Sequence, residues 1–257
     1  MRLDTYLAEN GLAKSRSFAK TLISDGFVEV NGKVQTKVSF DVGEADSVVV
    51  TGKPYEFVGR GGMKLDAALK KFDTDVRGMT CVDIGASTGG FTHCLLLYGA
   101  SKVYAVDIGH DQLDPSLVSD SRVINLEGIN ARYMSFDDLG ERCHVAVSDI
   151  SFISQTYVIP RIADILLENG IYIALIKPQF ECGKSKLGKN GIVKDKKTAF
   201  EAVKKVVSCA NASGLGVCSL IKSPIEGGDG NTEYLMLCRK NSNSQVDDRT
   251  IAEVCGL

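Results

Sequence analysis

The stretch Asp83-Ile84-Gly85-Ala86-Ser87-Thr88-Gly89-Gly90-Phe91 places an acid directly before a run of small residues. An apolar run from Cys81 leads into it, and an apolar segment, Phe91 to Tyr98, follows with helical character. This is strand, tight turn, helix. Small residues let a ligand approach backbone N–H groups at a helix N-terminus, where an anionic group is favoured. A second apolar run, Lys102 to Val106, ends in Asp107. An acid about 20 residues beyond such a loop suits the two hydroxyls of a ribose. The chemistry is that of a nucleoside-cofactor site.

Three classes of site compete for these residues. A dinucleotide turn of the form G-x-G-x-x-G is absent, because the loop reads Gly85-Ala86-Ser87-Thr88-Gly89-Gly90. A phosphate-cradling loop is mimicked at Gly183-Lys184-Ser185, but its first glycine falls on Pro178, which has no N–H to offer. S-adenosylmethionine remains: Asp83 and the small loop (Gly85, Ala86, Ser87, Gly89, Gly90, Phe91) suit its methionine end, and Asp107 suits its ribose.

The elements that must position these groups alternate. Strands are predicted at Cys81–Asp83, Val103–Asp107, Val123–Leu126, Val145–Asp149, Ile171–Lys177, Gly216–Lys222 and Glu233–Cys238, with helices near Thr88–Leu97, Asp111–Ser119, Ser154–Leu167 and Lys194–Ala212. Alternation of this kind makes an α/β, Rossmann-like fold: a seven-stranded, mostly parallel sheet with helices on both faces. The last strand follows a Gly/Asp loop, Glu226 to Asn231, with no helix, so it is expected to run antiparallel beside its predecessor. Before the sheet, Leu65, Ala68, Leu69 and Phe72 mark an amphipathic helix. Its start carries Lys64, a cation where a helix disfavours one. Residues 1–50 form a small α+β unit. It has two helices, Ser15 able to cap the second, and Asn31-Gly32 as a hairpin turn. Residues 51–59 read as a linker, 60–240 as the sheet domain, and 241–257 as a tail or short terminal helix.

The chain has 257 residues, enough for one large and one small domain. A net charge of −2 argues against a strongly basic, non-specific nucleic-acid binder, though local patches survive a balanced total. No apolar run of about 18 residues suggests a membrane span, and the N-terminus lacks a signal core. Eight cysteines occur singly and the three histidines are scattered, so no metal site or disulfide framework is expected and a reducing cytoplasm fits. Oligomeric state is not encoded in any of these patterns.

Two resemblances sharpen the expectation. R-L-D-x-x-L, G-L-A-x-S-R-x-x-A and L-I-x-x-G-x-V-x-V-N-G, over the first 50 or so residues, resemble the S4-type RNA-binding domain first seen in a small-subunit ribosomal protein. That resemblance implies RNA contacts from Arg2, Lys14, Ser15, Arg16 and Lys20, the cations meeting phosphates. Further on, V-D-I-G-A-S-T-G-G-F, V-D-I-G-x-x-Q-L, S-D-I-S-F-I-S, K-P-Q-F-E-x-G-K and S-P-I-x-G-x-x-G-N-T-E-Y-L resemble the TlyA family, often labelled hemolysin-like. The same domain is similar to the FtsJ-type, class I ribose methyltransferases.

The resemblance implies 2′-O-methylation of ribosomal RNA, with cytidine as target and ribosomal RNA or subunits as partner. It also implies a tetrad at Lys64, Asp149, Lys177 and Glu233, with Asp149 beside the cofactor as well. Lys177 is either a base or a group that orients the hydroxyl, depending on its neighbours. Glu127 and Asn130 follow the third strand, either facing adenine or capping a loop. Phe180 and Glu181 shape the mouth, and Arg60, Lys184, Lys186 and Lys189 guide RNA into it. Gly59, Gly62-Met63 and Gly128-Ile129 depart from the commoner family residues. Two other readings are a membrane-acting hemolysin, which no apolar or long basic amphipathic segment supports, and a non-enzymatic ribosome assembly factor, which an intact tetrad opposes.

Overall fold

In the computed structural model, which describes residues 1–52, 56–193, 195–227 and 230–257, the segment Met1–Glu56 packs around its own core. Helix α1 (Leu3–Glu9) buries Leu3 and Leu7, and α2 (Arg16–Ser24) buries Ala19, Leu22 and Ile23. The Ser15 hydroxyl accepts the Phe18 N–H at 3.1 Å, the expected cap. Asn31 and Gly32, both at positive φ (53° and 72°), turn β1 (Val28–Val30) back onto β2 (Lys33–Val34). That left-handed pair matches the twist of a two-residue hairpin. Strand β3 (Val48–Val50) pairs antiparallel along the other side of β1.

The second unit, Phe57–Leu257, opens with α3 (Gly61–Lys71). The alternation follows: β4 (Thr80–Ile84), α4 (Gly90–Leu97), β5 (Lys102–Asp107), α5 (Pro115–Val118), β6 (Val123–Glu127), α6 (Phe136–Leu139) and β7 (Cys143–Ser148). Then come α7 (Ile159–Ile165), β8 (Leu166–Ile176), α8 (Pro178–Glu181), α9 (Lys196–Ala212), β9 (Leu215–Lys222), β10 (Tyr234–Lys240) and α10 (Asp248–Cys255). The strands form one sheet in the order β6-β5-β4-β7-β8-β10-β9. Neighbours from β6 to β8 are parallel. Strand β10 slots between β8 and β9, antiparallel to both, so it gains a second neighbour beyond the expected one.

Successive residues of a strand face opposite sides, and the core divides accordingly. Val82, Ile84 and Ala146 meet α7, α9 and α10 on one face; Cys81, Val145 and Val147 meet α3 and α4 on the other. Direction along the sheet reverses between β4 and β7, and ligands collect outside strand C-termini at such a switch.

Three details depart from the sequence expectations. The helix expected over Asp111–Ser119 is only α5, because Asp111 sits at φ 55° and the N–H groups of Asp111, Gln112 and Leu113 are claimed by Glu127. The helix expected over Ser154–Leu167 splits into a 3₁₀ turn, Gln155–Tyr157, and α7. Of the two readings of 241–257, the short terminal helix holds as α10, and Val246, Ile251 and Cys255 are buried against the sheet core. Of the expected linker, Phe57 and Val58 pack on the larger unit, with Val58 N–H bonded to His93 Nδ1 at 3.1 Å, while Lys53, Pro54 and Tyr55 lie outside the described residues.

Candidate active site

Strand β4 runs out at Ile84 and the chain turns at Gly85, φ 81°. A side chain there would strike the Asp149 carbonyl oxygen at 2.7 Å, so glycine is what lets the loop lie across the end of β7. Gly85 and Ala86 donate to the Val106 carbonyl at 2.8 and 3.1 Å. Ser87, at φ 48°, donates its N–H to Asp107 Oδ2 at 2.8 Å, and Gly109 donates to Oδ1 at 2.8 Å. Asp107 therefore clamps the loop it was expected to partner, and each oxygen keeps a second lone pair for a hydroxyl.

Asp83 lies fully buried beneath this loop. Its Oδ2 accepts the Thr92 hydroxyl at 2.7 Å, and its Oδ1 has no hydrogen-bond partner among the described residues. Burial pushes its carboxyl up to about 7, with the Thr92 hydroxyl pulling down and the Asp149 charge pushing further up.

A cleft of about 560 Å³ opens over Asp107, walled by Val106, Ile129 and Ile150. It continues into a cleft of about 230 Å³ that shares Gly85, Ser87, Asp149 and Ser151 and ends at Lys177. The trough is apolar at one end, acidic in the middle and close to backbone at the turn. Asp83 lies buried beneath the loop rather than in the trough's lining. That combination fits an adenosyl group with a zwitterionic amino-acid tail. Gly90 and Phe91 line the smaller cleft with Ala86. Gly89, φ 93°, starts α4, and a Cβ there would collide with Leu117.

The four residues of the implied tetrad arrive as two ion pairs. Lys177 is the residue after β8, and its Nζ lies 2.6 Å from Asp149 Oδ1 and donates to Ser151 Oγ at 2.8 Å. Both members line the smaller cleft. Lys64, in the first turns of α3, sits 2.5 Å from Glu233 Oε2, and both are buried. Its misplacement at a helix start is thereby explained: its charge is met by an acid from another element. Glu233 precedes β10, whose Tyr234 pairs with Ile176, so the antiparallel strand starts at the edge where β8 ends. Before it, Gly227 lies close to Glu233, and the Glu226 carbonyl accepts from Arg60 at 2.5 Å. Arg60 lines the smaller cleft.

At the mouth, Phe152 is held at φ 63° with its ring 91% exposed, a conformation and an exposure that both cost free energy. Its ring centre is 5.1 Å from that of Phe180, and Lys177 Nζ is 5.9 Å from the Phe180 centre. Glu181 lines a cavity beside the mouth with Phe180, but its carboxylate is engaged. It turns inward, accepting from the Ser154 hydroxyl and from Gln155 N–H at 2.7 Å, and burial raises its carboxyl. It thus anchors the segment that carries Ser151 and Phe152. Glu127 departs from an adenine-facing role. Hydrogen bonds from the backbone of Gln112, Leu113 and Asp111 hold it down at about 2, so it is a loop cap. Asn130 lines the larger cleft while accepting the Arg132 N–H at 3.1 Å.

In the N-terminal unit, Asp4 is buried and accepts from Arg2 Nε and from an Arg16 nitrogen, each at 2.9 Å. The Arg2 guanidinium, with Arg16, holds the Asp4 carboxyl down at about 2. Lys14 lies 5.2 Å over the Phe18 ring, Ser15 is engaged as a cap, and Lys20 is exposed. Lys184 and Lys186 are exposed on a 3₁₀ turn, and the Lys189 side chain lies outside the described residues.

Sequence reasoning missed Asp4, Ser151, Thr92 and Asn231. Asn231, a buried amide, accepts Val193 N–H at 2.9 Å and donates to the Gly191 carbonyl at 3.1 Å, tying two loops together. None of the four lies in a periodic pattern. Three of them fall in the R-L-D, S-D-I-S-F-I-S and G-N-T-E strings, and that signal did not specify the partner. Among the described residues no cluster is placed to hold a metal, and no helix is long and apolar enough to cross a membrane.

Comparison with known proteins gives two family matches: an FtsJ-like methyltransferase over residues 57–240 and an S4 domain over residues 1–48. The 16S/23S rRNA (cytidine-2′-O)-methyltransferase TlyA of Mycobacterium tuberculosis is 38% identical over 253 residues, 98% of this chain and 94% of that one. A Bacillus subtilis protein, YqxC, provisionally described as an rRNA methyltransferase, is 41% identical over 236 residues, 91% of this chain and 84% of that one. A solved Streptococcus thermophilus structure, provisionally described as a hemolysin, superposes with a TM-score of 0.81 at 38% identity, covering 99% of this chain and 94% of that one.

Proposed function

Because the chain belongs to the TlyA-like family of rRNA methyltransferases, joining an S4 domain to an FtsJ-like methyltransferase domain, we propose that it methylates a ribose 2′-hydroxyl, that of a cytidine, in ribosomal RNA. S-adenosylmethionine is its cofactor, and ribosomal RNA or a ribosomal subunit in the cytoplasm is its substrate. The observation that carries the reading is the trough that ends on the Lys177–Asp149 pair at the C-terminal edge of the sheet. A nucleoside-binding cleft would by itself serve many reactions, whereas a cation and a carboxylate at its end suit a hydroxyl acceptor.

S-adenosylmethionine, when bound, supplies a methyl group on a sulfonium, open to in-line attack. Asp107 would hold the ribose of the cofactor, and Asp83 would face its cationic amino end. Lys177, fixed by Asp149 and Ser151, would donate from Nζ to the incoming hydroxyl oxygen and set its lone pair toward the methyl carbon. Such placement contributes a large share of catalysis in transfers between bound groups. For Lys177 to act as base instead, Nζ must first pass a proton on, and its contact with Asp149 supplies a route. The Lys64–Glu233 pair supports the cleft wall from behind, and the N-terminal cations hold the RNA through its phosphates.

The test is methyl transfer from labelled cofactor to ribosomal subunits and to protein-free rRNA, followed by digestion and nucleoside analysis. The expected product is 2′-O-methylcytidine, with kcat reduced at least about 100-fold in Lys177→Ala while cofactor affinity changes little. A methylated base, or undiminished transfer by Lys177→Ala, would overturn the reading.

A further inference from the structure

Beside the mouth lies a cavity of about 660 Å³ that neither the cofactor trough nor the lysine pairs account for. It shares Arg132, Phe152 and Ile153 with the larger cleft. Phe180 and Tyr157 line it as well; Lys184 contributes a cation, and so does Lys205, half-exposed although its Nζ lies 3.8 Å from the Glu181 carboxylate that also lines the cavity. The Arg132 guanidinium is stacked 4.5 Å from the Tyr157 ring centre, and Tyr157 is 55% exposed. A flat cation laid on an aromatic ring extends a planar surface, and planar surfaces beside positive charge are how proteins take up unpaired bases. The volume is that of a small-ligand pocket.

We propose that this cavity binds the base of an unpaired nucleotide next to the one methylated, stacking it on Tyr157 and Arg132 while Lys184 and Lys205 meet the adjoining phosphates. The inference rests on the RNA ribose methyltransferase reading, since Phe152 is the shared wall. Phe180 lines this cavity and its ring centre lies 5.9 Å from Lys177 Nζ, so a nucleotide presented to Lys177 leaves its chain neighbour at the cavity's entrance. Phe152, held at a positive φ, stands between the cofactor's cleft and this cavity, so its exposed ring separates the cofactor from the neighbouring base.

Steady-state kinetics on protein-free rRNA and on subunits provide the test, with Tyr157→Ala and Tyr157→Phe as variants and cofactor affinity measured alongside. Tyr157→Ala is expected to raise KM for RNA about tenfold, the effect of losing one base stack, with kcat and cofactor affinity within twofold of wild type. Tyr157→Phe, which keeps the ring, is expected to match wild type. RNA with an abasic ribose beside the target should raise the wild-type KM to the same level and should not raise that of Tyr157→Ala further. Transfer by Tyr157→Ala with an unchanged KM overturns this inference alone. A KM that rises on subunits but not on protein-free rRNA assigns the cavity to a ribosomal protein and also overturns it. Absence of transfer by the wild type to any RNA would sink the parent reading and this one together.

Discussion

Asp83 carries a tension between stability and use. Its carboxyl is raised from 3.8 to about 7, so the folded chain keeps a proton that the unfolded chain has already lost. Stability accordingly falls as pH climbs from about 4 to about 7 and is level above that. Asp83→Asn should stabilise the cofactor-free protein at pH 8 by on the order of 2–4 kcal/mol in urea unfolding. The same ionisation should strengthen cofactor binding, because only the charged form attracts a cationic amino end. Calorimetry at pH 6 and pH 8 should show severalfold tighter binding at the higher pH, and a flat profile in Asp83→Asn.

The buried Lys64–Glu233 pair makes a second residue-level prediction. Lys64→Met or Glu233→Gln alone strands the opposite charge and should cost about 3–5 kcal/mol, whereas the double variant should cost clearly less than the sum. Strict additivity in denaturant melts would show that the two are not coupled. Methyl transfer should be lost in all three.

At the level of elements, the strands were legible because apolar runs ending in acids recur with βα spacing, and every predicted strand appears with its ends shifted by a few residues. The largest shift is at β8, which begins at Leu166 rather than Ile171, through Glu168-Asn169-Gly170, residues with no strand propensity of their own. The loops were not legible in this way. Glu127 caps 111–113, Glu181 anchors 154–155 and Asn231 ties 191–193, and each clamp joins residues 14 to 40 apart. Nothing local marks such a partner.

Asp4 is the same device inside the N-terminal unit, fixing α1 to the start of α2 through Arg2 and Arg16. Asp4→Asn removes a negative charge, so charge alone predicts tighter RNA binding. Loss of the clamp predicts the reverse: affinity several-fold weaker in filter binding, with Lys20→Ala weakening it without loosening the fold. Since the folded carboxyl lies below its ordinary value, its stabilising contribution is present above pH 4 and fades as pH falls toward 2.

The whole molecule carries a net charge of −2 but concentrates Arg2, Lys14, Arg16 and Lys20 in one small unit. Affinity for RNA should therefore fall steeply with salt despite the balanced total. If these cations meet phosphates, each alanine replacement among them should flatten the log–log salt slope by about 0.7–0.9. An unchanged slope in the quadruple variant would place RNA binding elsewhere.

The trough itself has a consequence for turnover. On the proposed reading its apolar walls and the Asp107 clamp would grip the adenosine half, which is identical before and after the methyl group leaves. Only the sulfur changes, from a cation to a neutral thioether, near the charged end. Most of the binding energy is therefore shared by the fresh donor and its spent form. S-adenosylhomocysteine should compete at concentrations comparable to those of the donor, so methylation would respond to the ratio of the two rather than to the donor alone.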